Sequence, residues 1–416
     1  MVSLQDLFDW NACINVLLSL MQAGQHALLH VLSALGLTRD VDGQPGWPFA
    51  TRLSGEVMLI DRGVARALLL ALAASGSALV LAVLGLLARR RLRLVSWGLA
   101  AALAWLAPWP APSLLTNAAT PTSFHDSPTR FADASIVRGE RLYAQQCVSC
   151  HGANGRGDTP LGLSLATAPP NLAGPLLWRR ADGDLLWTVR NGKGAMPAFA
   201  QLSASDAWAL IDYMKANAAG ISLRETGIWQ QPVRLPGLRV DCSHASQHGT
   251  DQWLGQRVRV VLAQAGAAAP LEDPRMQSLL LDPQHVVTNA GQPGLPTVDC
   301  RNTDQQAWRA LEIITGTPAA QMGGLQLIAD RDGWLRARKS ASDSAAGWSD
   351  ADMLCRSPLA AQDTNQEKAG LLAGAAAGVS QASGKGNGGV AQQGLERLIA
   401  AMDAEPIRFI KGGFVH

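Results

Sequence analysis

The sequence predicts a multidomain chain in which N-terminal transmembrane helices precede a small all-α unit and a C-terminal α/β region. Three observations carry that expectation. Apolar runs of helical length lie before residue 110, a Cys-x-x-Cys-His pentapeptide is flanked by helix-like segments, and later Val- and Leu-rich runs alternate with helical patterns. At 416 residues the chain exceeds one compact core. A net charge of +2, from 35 basic and 33 acidic residues, sets nucleic acid aside as a partner, because that would need a concentrated basic surface. Charged residues are 16% of the chain against 48% apolar, a deficit of charge that places some segments in lipid.

Residues 1–110 are expected to be the membrane anchor. Met1 to Asp9 carries Asp6 and Asp9 but no Lys or Arg, so no cleavable signal peptide is expected and export should rely on internal spans. Val64 to Leu87 is long and apolar enough to cross about 30 Å of hydrocarbon as a helix. Arg89, Arg90, Arg91 and Arg93 follow, then apolar Leu94 to Trp109, with Trp97, Trp105 and Trp109 suited to the interfaces. The pair reads as a helical hairpin whose basic turn is cytoplasmic. Everything after Pro110 then lies on the periplasmic side of a bacterial inner membrane. Ile14 to Leu37 has two readings, a third span or an interfacial helix, because Asn15, Gln22, Gln25, His26 and His30 interrupt it. His26 and His30 share a helical face, either as ligands to a b-haem or copper or as polar residues lining a helix interface.

Residues 111–134, rich in Pro, Thr, Ser and Asn, read as an extended linker before an all-helical unit at 135–220. Within it, the spacing of Cys147 and Cys150 lets two thiols add to the two vinyl groups of one haem, and His151 comes next to supply an imidazole to the iron. A bare Cys-x-x-Cys binding zinc or doing thiol redox chemistry is the competing reading. Met196, 45 residues on within Asn191-Gly192-Lys193-Gly194-Ala195-Met196-Pro197, is the expected second axial ligand, with Met214 the other candidate. Such a pair favours ferrous iron and fills both axial positions, which suits electron carriage. A carbonyl of Ala168 to Leu172 is expected to accept from His151 Nδ1. Gly139 and Tyr143 on one helix, with Trp208, Ile211 and Tyr213 on another, allow a close crossing. Trp187 is placed to pack on the haem or in ordinary core.

CVSCH, the Pro169-Pro170-Asn171 segment, Trp187-x-x-Arg190-Asn191-Gly192, the Met196-Pro197-Ala198-Phe199 loop and the closing helix together resemble a class I cytochrome c domain. The resemblance covers about a fifth of the chain. It implies an all-α fold, one covalent haem c on Cys147 and Cys150, His151/Met196 ligation and electron transfer outside the cytoplasm.

Residues 231–356 read as strands at Val233 to Asp241 and Gln256 to Ala263, a helix at Ala307 to Thr315, and a hairpin at Gly324 to Arg338. That order resembles a thioredoxin-like domain of the Sco or peroxiredoxin-related kind. Where those families place a reactive Cys, this chain has Gln264-Ala265-Gly266-Ala267, so the domain is expected to lack a reactive Cys pair. Cys242 and Cys300 read as a disulfide or inert thiols, and Cys242, His244 and His248 as the competing copper or zinc ligands. Residues 357–393 read as a disordered linker, Gly394 to Met402 as an amphipathic helix, and 394–416 as the tail. The whole resembles the cytochrome-fused tail of copper resistance protein D-type membrane proteins.

The expected function is a membrane-tethered mono-haem carrier of single electrons, not an enzyme. Its redox partners would be a membrane complex, dehydrogenase or oxidase. The alternatives are a copper-handling protein with copper as a partner, or an electron-relay subunit of a larger oxidoreductase.

Overall fold

The computed structural model describes residues 10–243, 249–287, 296–342, 347–356, 387–407, 410–411 and 414–415. They divide into two compact units, the first comprising Met1–Asp126, Arg179–Trp187 and Ile410–His416 and the second Ser127–Trp178 and Thr188–Phe409.

In the first unit, α1 (Trp10–Ala34) leads to the short hairpin β1 (Asp40–Val41) and β2 (Gln44–Pro45), then β3 (Thr51–Leu53) and α2 (Glu56–Ile60). Asp61 accepts from Gly63 N and starts α3 (Arg62–Leu87). Among the described residues two helices are long and apolar enough to cross a membrane, Ala12–Ala34 and Arg62–Leu87. Helix α4 (Arg90–Leu106) packs on α3 as the hairpin reading requires. Its 17 residues rise only about 25 Å. The expected basic turn is corrected: Ala88 and Arg89 alone separate the helices, and Arg90, Arg91 and Arg93 lie in α4 itself. Arg93 donates to the carbonyls of Gly85 (3.1 Å), Leu86 (3.1 Å) and Ala88 (3.3 Å), which have no further helix to bond them. The helix also stops at Leu106, short of Trp109.

The stretch read as an extended linker is folded. Strand β4 (Thr116–Ala118) pairs antiparallel with β3, Arg52 opposite Asn117, and Thr122, Ser123 and His125 are buried. Buried Arg52 bonds Asp184 at 3.0 Å, and Thr120 and Ser123 donate to the other oxygen of that carboxylate. Polar side chains that look like linker composition are here satisfied partners of a buried ion pair.

In the second unit, α5 (Asp133–Gln146) begins two residues before the expected boundary. It is followed by α6 (Val148–His151), α7 (Pro160–Ser164), α8 (Pro175–Arg179), α9 (Asp182–Asn191) and α10 (Ala204–Thr226), with residues 179–187 counted in the first unit. Ser203 caps α10 by accepting from Asp206 N, and Gly227 ends it. Helices α5 and α10 cross where Gly139 meets α10. A Cβ there would overlap the Ala209 carbonyl and lie 2.7 Å from Tyr213 Cβ.

Helix α10 runs nine residues beyond the expected end at Asn217, and its second half packs on α11 (Gln305–Thr315). Arg309 of α11 also bonds Glu140 of α5. The haem segment and the later sheet therefore belong to one unit.

That sheet has the order β7 (Cys300–Asn302), β6 (Gln277–Leu281), β5 (Val258–Leu262), β8 (Gln326–Ala329), β9 (Leu335–Lys339), the first three parallel and the last two antiparallel. The hairpin and the helix stand where the sequence put them. Val233 to Asp241 is corrected: it forms only isolated bridges, through Arg234, Gly237, Arg239 and Asp241, and Pro236 cannot donate to a ladder. Fully buried Arg336 pairs with Asp330 at 3.0 Å and donates to the carbonyls of Cys355 and Glu405, tying the sheet to the end of α12 (Asn387–Ala404). Of the stretch read as a disordered linker, residues 357–386 lie outside the described residues. Residues 387–393 are helical, so the C-terminal helix starts earlier than Gly394.

Replacing Gly139 with Ala should cost on the order of 3 kcal/mol, because the added methyl meets backbone that cannot rotate aside. A lowered thermal midpoint with Gly139→Ala checks this, and an unchanged midpoint contradicts the crossing.

Candidate functional site

Tyr143 O accepts from Cys147 N (2.9 Å), so α5 delivers the chain directly into the next turn. Cys147 O then accepts from Cys150 N (3.2 Å) and His151 N (2.9 Å), which puts two free thiols and one imidazole on a single helical turn. The turn is braced from outside. Tyr143 donates to Gly152 O (2.9 Å), and Thr159 donates to the carbonyls of Ser149 (2.7 Å) and Cys150 (3.1 Å). The Tyr143 and Tyr213 rings lie 5.1 Å apart beside the helix crossing. Thr159 escaped the sequence reading, although Thr159-Pro160 is a helix start signal: Thr159 accepts from Gly162 N, with Pro160 in the first helical turn.

Burial, and secondarily the adjacent Cys150, push the Cys147 thiol up to about 11. Burial lowers the His151 imidazole, which keeps it neutral and its lone pair available. His151 Nδ1 is buried and has no hydrogen-bond partner among the described residues. The expected carbonyl from Ala168 to Leu172 is not supplied; that segment instead folds onto the loop just after His151, with Leu172 N donating to Gly155 O (2.7 Å). Two free thiols and a neutral imidazole on one turn fit a covalently held porphyrin.

Met196 stands half-buried on a separate loop. Lys193 and Met196 exchange backbone bonds of 3.1 and 3.0 Å, and Phe199 N donates to Val189 O (3.2 Å), tying the loop to α9. Gly192 has φ of 74°, and a Cβ there would lie 2.6 Å from Met196 O. Met214 lines a small cavity with Tyr143, Asn154 and Ile221. Trp187 is half-buried.

The other candidate ligands find no support. His26 packs edge-on to Phe124 at 5.1 Å, and the Nδ1 of His30 lies 2.7 Å from the His26 carbonyl. Cys242 forms a disulfide with Cys300 and so offers no thiolate, while His244 and His248 lie outside the described residues. Among the described residues no group of three or more His, Cys, Asp or Glu could hold a metal ion. Cys355 is buried and its thiol pushed up to about 12 by that burial, which makes it inert.

Residues 134–214 match the family of cytochrome c oxidase, cbb3-type, subunit III. The cbb3-type cytochrome c oxidase subunit CcoP of Azospirillum brasilense is 33% identical over 69 residues, 16% of this chain and 23% of that protein. The chain thus spans about a quarter of the length of the curated relative it matches. A reducing HAO-like protein complex of Kuenenia stuttgartiensis aligns at 19% identity and a TM-score of 0.19, over 31% of this chain and 60% of that one. The matched segment is a cytochrome c domain, a class that carries covalent haem c and transfers electrons.

Alanine at position 192 should cost about 1–2 kcal/mol through its left-handed backbone alone. Chemical denaturation of Gly192→Ala should show that loss. Parent-like stability would mean the loop does not need this turn.

Proposed function

We propose that the chain is a membrane-anchored carrier of single electrons, in which Cys147 and Cys150 would fasten one haem c and His151 and Met196 would ligate its iron. The observation that carries this reading is the single helical turn bearing both free thiols and the His151 imidazole. When bound, haem c supplies one-electron cycling of its iron. The protein's part is positional. Cys147 and Cys150 fix the group to α6, His151 presents a neutral imidazole, and the Gly192 turn presents the Met196 thioether. A pair of protein ligands leaves no open coordination position, which favours relay over oxygen chemistry.

The likeness to cbb3-type oxidase subunits supports a place in a membrane redox complex, handing electrons to an oxidase on the periplasmic side. The α3–α4 hairpin with its arginines supports that side. We read the later sheet as a thioredoxin-like scaffold without thiol chemistry. Its strand order supports the likeness, and the residue after β5 and Ala263 is Gln264, with no Cys nearby.

Pigment should travel with the protein band on a denaturing gel stained for haem peroxidase activity, and disappear when Cys147 and Cys150 are both changed to Ala. A parent protein without pigment overturns the proposal. Met196→Ala should abolish the thioether-to-iron charge-transfer band at the red end of the visible spectrum and lower the reduction potential. An unaltered band would remove Met196 as ligand.

A further inference from the structure

Helix α1 is long and apolar enough to cross a membrane, yet its contacts do not follow α3 through one. The Arg66 guanidinium lies over the Trp10 ring at 5.7 Å, so α1 begins level with the first turns of α3. Ile14 and Leu18 pack with Met58, Ala65 and Leu68. One to two turns further, Gln25 bonds both backbone groups of Leu53, accepting from its N at 2.7 Å and donating to its O at 3.4 Å. His26 then meets Phe124. Proceeding along α1 therefore leads away from α3 and towards the paired strands β3 and β4. A span running beside α3 would meet later residues of α3 instead.

The level that α1 reaches cannot be hydrocarbon. Beside Leu53 stand Arg52 with its partner Asp184, and Asn117 bonded to Ser54, on short strands with open edges. Exposed strand edges and an ion pair are excluded from the lipid core.

The flank of α1 beside this packed face is nevertheless apolar. Val16, Leu20, Leu28 and Val31 are 58, 65, 42 and 55% exposed, and helical spacing sets them on one stripe next to the face of Ile14, Leu18, Gln25 and Leu29, continued by Leu35 (66% exposed) just past the helix end. That stripe starts where Trp10 and Arg66, residue types suited to the membrane interface, mark the entry of α3. Its continuity with the anchor identifies the occupant as lipid rather than another protein.

We propose that α1 does not cross the bilayer but lies on its outer surface, with the stripe from Val16 to Leu35 bedded at the headgroup boundary. The chain then holds the membrane by the α3–α4 hairpin and by this lateral helix. Both α1 termini then lie on the periplasmic side of the bilayer. The inference rests on α3–α4 being in the bilayer, so its test carries a control on α3.

Single nitroxide labels at Val16, Leu20, Val31 and Leu35, and a control at Leu79 of α3, are placed in the full-length protein in phosphatidylethanolamine/phosphatidylglycerol vesicles. Collisions with oxygen and with a water-soluble nickel chelate read their depth. The four α1 labels should share one shallow depth, about 5–10 Å below the headgroups, while Leu79 lies deep. A depth that peaks in mid-helix makes α1 a span and overturns the proposal. Free access for nickel without oxygen enrichment places the stripe in water, and exclusion of both agents places it against protein; either also overturns it. A shallow Leu79 defeats the anchor reading itself, which separates the two failures. In cells, Asp9→Cys in a Cys13→Ala background should react with an impermeant maleimide from the periplasmic side. Reaction from the cytoplasm alone contradicts the proposal.

Discussion

The position of the haem turn depends on how closely α5 and α10 approach. At Gly139 no side chain intervenes, so the backbone of α5 comes to rest against the carbonyl of Ala209. Tyr143, one turn further on α5, then packs on Tyr213 and reaches the Gly152 carbonyl just past His151. The short turn carrying Cys147, Cys150 and His151 has little internal structure of its own. It is positioned by a helix crossing above it and by Thr159 below it. A four-residue helix would otherwise fray, because it closes too few hydrogen bonds to repay its ordering.

The same crossing extends into the rest of the chain. Helix α10 does not end with the haem segment but continues to Thr226, bringing Gly220 against Ile313 of α11, while Arg309 returns to Glu140. Two regions that look separate by composition share one helix and a set of buried contacts. Because Ala216, Ala218, Ala219, Gly220, Ile221 and Leu223 of α10's second half are buried, cutting the chain near residue 220 would expose core. The sheet region is accordingly better described as a support built onto the cytochrome domain than as an independent module.

Much of the site was legible in the sequence because its chemistry is local. Cys147, Cys150 and His151 fall within five consecutive positions, and a helical turn is all that three such groups need to converge. The loop that carries Met196 was legible through Gly192 and Pro197, residues whose backbone restrictions announce a tight turn. The failures share a cause too. Val233 to Asp241 has strand-forming residues but found no continuous partner, whereas Gln277 to Leu281, with its three leucines, pairs on both edges. Strand formation is decided by what lies alongside, which propensity does not record. Thr120 and Ser123 looked like linker because their partner is Asp184, more than 60 residues away from either.

By itself, then, the sequence determined the pieces whose physics is contained within a few residues: the apolar α3 helix, the thiol–imidazole turn, the glycine-bounded methionine loop and the Asp330–Gly333 hairpin. Tertiary structure alone decided which face of α1 is covered, that residues 116–118 pair with β3, that Cys242 meets Cys300 across 58 positions, and that α10 packs on α11. The difference is one of range. Hydrogen-bond closure and side-chain periodicity act over one or two turns, while burial depends on surfaces that only the folded chain brings together.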